Sequence, residues 1–206
     1  MLSKGSDFMT AQIGDKYTFK DKEYGIVATS EPLSFNPKEY GLEVQHICTA
    51  CWRGYWCEYE ISENGIILKK LFVHTADDKY PDIDGVQVNM NREPIKYMGH
   101  RVYMDLSLNI TYTGKILLGD KLLSKYRVNL GNPSPWEYKE LKEFVFVNGS
   151  LTTINDYSKI AKEIRKFAEE KFLNMDGIDK FKKWDILEQT AKVMLPIEYN
   201  FHRAVW

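Results

Sequence analysis

Two Asn-Gly pairs, Asn64–Gly65 and Asn148–Gly149, each stand between runs of β-branched and aromatic residues. Asn and Gly tolerate the positive φ that both centre positions of a type I′ turn require, and the twist of that turn matches paired strands. Each pair therefore predicts a hairpin, joining residues 56–61 to 66–73 and residues 144–147 to 151–154. A third hairpin is read from residues 16–19 and 24–29, separated by D-K-E. Residues 42–49 alternate, with Leu42, Val44, His46 and Cys48 on one face and Glu43, Gln45 and Ile47 on the other, which predicts a strand with one partly wet face. Residues 102–108 and 112–118 alternate as two further strands. Because every link is short, the expectation is a mainly antiparallel sheet, or a partial barrel, over about residues 15–154.

Near Asn155 the pattern changes. Tyr157, Ile160, Ala161, Ile164, Phe167 and Ala168 recur at helical spacing, with Asn155 or Asp156 placed as N-cap. A second amphipathic helix is expected over 178–194, with Phe181, Trp184, Leu187, Ala191 and Met194 on one stripe and Pro196 as its stop. N-M-D-G between them suits a short connection of antiparallel helices. The fold class is therefore α+β: a β-rich domain over 1–154, then a helical hairpin and tail over 155–206 packed on the same domain. Residues 75–94 are polar, carry Pro81 and Gly85, and read as a long surface loop, a plain insertion in preference to a lid. Residues 132–136, N-P-S-P-W, form a second rigid turn whose Trp136 either lies over a pocket or seals the core.

With 206 residues, 44% of them hydrophobic, the chain is long enough to bury a core. Its 28 basic and 29 acidic residues nearly balance, so no global field favours nucleic acid or an anionic membrane. No run approaches the roughly 18 apolar residues of a membrane span, and the first residues lack the apolar stretch of a signal peptide. Three cysteines are few for an oxidised framework. Together these features lead to the expectation of a cytoplasmic protein.

The densest chemistry lies in C-T-A-C-W-R-G-Y-W-C-E-Y, residues 48–59, which holds all three cysteines. His46, Cys48, Cys51 and Cys57 supply four ligands, the count a structural zinc needs, but only one C-x-x-C occurs and no second knuckle. Buried small apolar side chains are the preferred reading, with zinc the alternative and no cofactor expected. A redox C-x-x-C ranks lower still, because W-R-G-Y-W does not begin a helix that would lower a thiol pKa. Arg53, between Trp52 and Tyr55, has the chemistry to stack on a ring and grip an anion in bidentate fashion, or else to pair with a nearby acid at the sheet rim. With Trp136 these residues form the candidate ligand site. His74 and His100 flank the long loop and, with Asp105, are the candidate acid/base groups. Nucleophile elbow, Walker loop, metalloprotease and dinucleotide fingerprints are all absent from the sequence.

The run T-A-C-W-R-G-Y at 49–55, continuing to E-Y-E-I and N-G-I-I-L, resembles a motif of uncharacterised bacterial proteins in which counterparts of residues 112–118 and 138–141 also occur. The resemblance covers roughly residues 43–155 and implies a shared β-rich domain, with no activity, cofactor or substrate attached. Cys57 and the Asp-rich loop depart from that pattern. The functional expectation is a non-catalytic binding or interaction protein that holds a small ligand, anionic or neutral, or a partner segment on a concave Arg- and aromatic-lined β surface. The alternatives are a hydrolase or transferase acting on a small anionic substrate, and a regulator that docks a protein partner through its C-terminal helices, where Trp184 and Y-N-F-H-R-A-V-W supply anchors.

Overall fold

Period-two alternation through the first three quarters of the chain buries one set of side chains on each strand, and the strands pair into a sheet that curls over that set. The computed structural model describes residues 12–33, 35–46, 48–90, 100–126, 133–172 and 180–195. These form β1 (Lys16–Phe19), β2 (Lys22–Thr29), β3 (Tyr55–Ser62), β4 (Gly65–Val73), β5 (Arg101–Tyr103), β6 (Leu108–Ile110), β7 (Gly114–Leu122), β8 (Tyr138–Val147), β9 (Ser150–Asp156), α1 (Ser158–Phe172) and α2 (Lys180–Met194). The strands make one open sheet in the order β5-β4-β3-β1-β2-β7-β8-β9, with β6 also paired to β4. The chain is thus α+β, a mainly antiparallel sheet followed by helices. One pairing corrects the expectation of short links alone: β1 lies parallel to β3, which makes the sheet mixed. Among the described residues no helix is long and apolar enough to cross a membrane.

The sheet curls without closing. At one corner the β3–β4 and β8–β9 turns meet, where Leu151 N–H donates to the Glu63 carbonyl at 3.4 Å. The concave side is filled by Tyr17, Tyr59, Leu68, Tyr103, Ile116, Phe144 and Phe146. On the opposite face of β2, β7 and β8, the residues Val27, Leu117 and Leu141 pack against Ala161, Ile164 and Ala168 of α1 and Leu187 and Ala191 of α2. Trp136 lies in this second layer, 1% exposed, so it seals the seam between sheet and helices and lines no open surface.

Several local expectations change. Residues 42–49 form no strand: Leu42 is buried and Glu43 and Gln45 are exposed as the alternation predicts, but the segment makes only isolated bridges, Val44 to Thr75 beyond the end of β4 and Cys48 to Cys51. Ile47 lies outside the described residues. In the β3–β4 hairpin the two-residue turn is Glu63–Asn64, closed by Ser62 and Gly65. Gly65 is a strand residue, with φ 125° and with the Gly149 carbonyl oxygen 2.3 Å from where a Cβ would stand. The second Asn-Gly does form the expected turn, with φ 49° at Asn148 and 84° at Gly149. The β1–β2 turn uses Lys20 and Asp21, both at positive φ. The single strand expected over 102–108 is two: β5 pairs with residues 71–73 and β6 with 66–68, and between them Asp105 turns at φ 60° so that Leu106 is buried.

The loop after β4 is partly core. Ile83 is buried, Asp84 and Gly85 turn at φ 49° and 77°, and Tyr103 O–H donates to the Pro81 carbonyl at 2.7 Å. Residues 91–94 of the expected loop lie outside the described residues, as do the 174–177 connection, Pro196, the aromatic tail, and the Phe181 and Trp184 side chains. β9 extends through Asp156, so α1 starts at Ser158, and the Asp156 carboxylate accepts from Ser158 N–H at 2.8 Å. At the end of α2 the buried side chain is Leu195, while Met194 is exposed.

A pinned aromatic turn as the candidate functional site

Residues 48–54 make two successive tight turns, with Cys51 N–H donating to the Cys48 carbonyl at 3.0 Å and Gly54 N–H to the Cys51 carbonyl at 3.1 Å. Gly54 is required here. Its φ is 73°, and a Cβ would stand 2.5 Å from the Gln45 carbonyl oxygen. The segment before β1 holds the turn from one side: Ile13 N–H donates to the Ala50 carbonyl at 2.8 Å, and Gln12 Nε2 donates to the Thr49 carbonyl at 2.8 Å. Gln12 Oε1 also accepts from Trp52 N–H at 3.3 Å.

Arg53 holds the other side. Its Nε donates to the Tyr55 carbonyl at 2.8 Å, its guanidinium lies 4.5 Å from the Tyr55 ring centroid, and its Nη2 pairs with the Asp15 carboxylate. Asp15 is buried and also accepts from Cys57 N–H at 2.7 Å. Burial opposes the Arg53 charge, and the Asp15 carboxylate beside it more than offsets that, so the Arg53 pKa is raised. Behind the pair, burial pushes up the Cys57 thiol and the Tyr17 and Tyr59 phenols, and nearby Asp15 adds to the effect. Burial likewise lifts Tyr55 to about 12. All four stay protonated at neutral pH and offer no nucleophile.

In front of the pair, Trp52 is 55% exposed. Its ring lies parallel to the exposed His46 imidazole, with centroids 4.8 Å apart and planes 5° apart. The turn thus presents a rigid aromatic platform beside a guanidinium whose side chain is 21% exposed.

Trp52, Arg53 and Tyr55 come together, and Trp136 does not join them, being buried under the helices. Nor do the four candidate zinc ligands converge: Cys57 faces the concave core on β3, while His46 faces Trp52. Among the described residues no group of three or more His, Cys, Asp or Glu is arranged to hold a metal ion. His74 and His100 do meet, with ring centroids 6.4 Å apart. His100, however, is fully buried against Trp56, at 4.6 Å between centroids. Asp105 is exposed at the far end of β5, where Leu106 N–H bonds to Lys69, so the expected acid/base trio is not assembled. Asp15 and Gln12 belong to no motif, and nothing local in the sequence marks them as part of the site. A buried arginine implies an acid somewhere, but only the parallel β1–β3 pairing brings Asp15 to Arg53.

No family model matches the chain, and comparison with curated proteins and with solved structures returns no match.

Proposed function

We propose that this protein is a non-catalytic interaction module that holds an extended segment of a protein partner on the turn at residues 48–55. The observation that carries this reading is Trp52, an indole 55% exposed on a backbone pinned from two sides. Burying such a ring gains about 25 cal/mol per Å² of apolar surface, and a side chain already held in place loses little entropy when it docks. Tryptophan is also among the residues that dominate interface energetics. Arg53 fixes the platform through Asp15 and the Tyr55 carbonyl, and a partner carbonyl or carboxylate is the group that its remaining donors would suit. A small-anion site centred on Arg53 is less well supported, because Asp15 already occupies the guanidinium.

Peptides selected from a random display library on the wild-type protein test the reading. They are expected to bind Trp52→Ala at least about 30-fold more weakly, which corresponds to about 2 kcal/mol for a hot-spot residue. The variant should keep the wild-type circular dichroism and urea midpoint, since the indole is more than half exposed. Equal binding to both proteins would refute the role of Trp52.

A further inference from the structure

We propose that Cys48 and Cys51 form a reversible dithiol–disulfide site that exchanges with small-molecule disulfides. The two residues face each other as an isolated antiparallel pair across Thr49 and Ala50, with Cys51 N–H bonded to the Cys48 carbonyl at 3.0 Å. Residues opposed in this way have Cα atoms about 5.5 Å apart. A disulfide spans Cα separations of roughly 4.4–6.8 Å, so the turn needs little backbone movement to accept one. The bonds from Gln12 and Ile13 to Thr49, Ala50 and Trp52 hold the pair in this arrangement in the reduced protein. The C-x-x-C therefore works through a β-turn, without the helix N-terminus on which redox motifs of this spacing usually rest.

The two thiols are unequal, and this sets the order of events. Cys48 is half-exposed and Cys51 is buried. The Cys48 thiolate attacks one sulfur of a disulfide R–S–S–R, forms a mixed disulfide, and releases R–S⁻, which takes up a proton. Cys51 then gives its proton to solvent and its sulfur attacks the Cys48 sulfur. This closes the intramolecular S–S bond and expels the second R–S⁻, which is protonated in turn. Two electrons pass from the protein dithiol to the small disulfide, and one R–S–S–R becomes two R–SH. Burial pushes the Cys51 thiol up to about 11. The Cys51 thiolate therefore lends no stability to the reduced state, which is the reverse of strongly oxidising C-x-x-C sites. Closure also draws Cys51 Sγ away from the Tyr55 carbonyl, 3.6 Å away, to which Arg53 Nε bonds as well, so oxidation reaches the residues beside Trp52. Cys57, fully buried on β3, serves as an internal reference that stays reduced.

The test equilibrates the full-length protein with graded mixtures of oxidised and reduced glutathione, alkylates free thiols before and after denaturation, and maps the products by mass spectrometry. The expected wild-type product lacks two hydrogens, carries a Cys48–Cys51 link, and has Cys57 alkylated only after denaturation. Cys51→Ser should instead accumulate a glutathione adduct on Cys48, and Cys48→Ser should not react, with circular dichroism confirming that both variants fold. Three free thiols in wild type under excess oxidised glutathione would overturn the proposal. So would a persistent Cys48 adduct that never closes, or a link that includes Cys57.

Discussion

Gly54 shows how much of the candidate site depends on one missing methyl group. Its left-handed backbone costs any other L-residue about 1–2 kcal/mol, and the Gln45 carbonyl and the Val44 side chain leave no room for a Cβ, which adds about 1–3 kcal/mol. Gly54→Ala should therefore lower stability by roughly 2–5 kcal/mol. Gly85 has a similar φ of 77° but nothing within 4 Å of the Cβ position. Gly85→Ala should cost only about 1 kcal/mol, and urea unfolding of the two variants side by side measures the difference. Equal losses would show that the close approach at Gly54 carries no energy. The sequence made Arg53 and Trp52 legible as a pair of interest because their chemistry is visible in their names. It did not make Asp15 legible, because an acid 38 residues away carries no local mark of its partner.

At the scale of elements, the hairpins were readable wherever a turn had to be made locally, as at Asn148–Gly149. The signal misled at Asn64–Gly65, because Gly65 is small to let another turn approach, not to form its own. The cross-strand charge cluster was equally invisible: Lys22 on β2 pairs with Asp120 on β7 at 3.1 Å and also with Glu140 on β8, while Lys121 reaches Glu140 at 2.7 Å. Hydrogen bonds from Lys121 and Lys22 hold the Glu140 carboxyl down at about 2. A carboxyl more acidic in the folded state than its ordinary value of about 4.3 stabilises the fold above that value. The contribution is lost as pH falls from about 4.3 towards about 2. As a partly exposed surface network it is worth about 1 kcal/mol at most. Glu140→Gln should accordingly lower the urea midpoint slightly above about pH 5 and flatten its decline between about pH 5 and about pH 2.5. An unaltered acid profile would remove Glu140 from the account.

For the whole molecule, the decisive feature is that the sheet has two apolar faces. Its concave face is filled by its own side chains, and the outer face of β2, β7 and β8 is covered by α1, α2 and Trp136. A chain ended at Asp156 would leave Val27, Leu117, Leu141 and Trp136 uncovered, a contiguous patch of the kind that drives aggregation. Such a truncation should lose near-UV circular dichroism and elute as aggregate in size-exclusion chromatography. A folded, monodisperse β domain would instead make the helices an appended association arm. By itself the sequence determined the hairpin strands, both helices and the α+β class, since hydrophobic period and turn chemistry act within a few residues; the strand read at 42–49, the joining of β5 with β6 and the late start given to β8 were errors. Tertiary structure decided which strands neighbour one another, that β1 lies parallel to β3, that Asp15 takes the Arg53 guanidinium, and that Trp136 is sealed in while Trp52 is left out. Those outcomes depend on contacts between residues far apart in the chain, where packing and the need to pair a buried charge select one arrangement that no local window of sequence encodes.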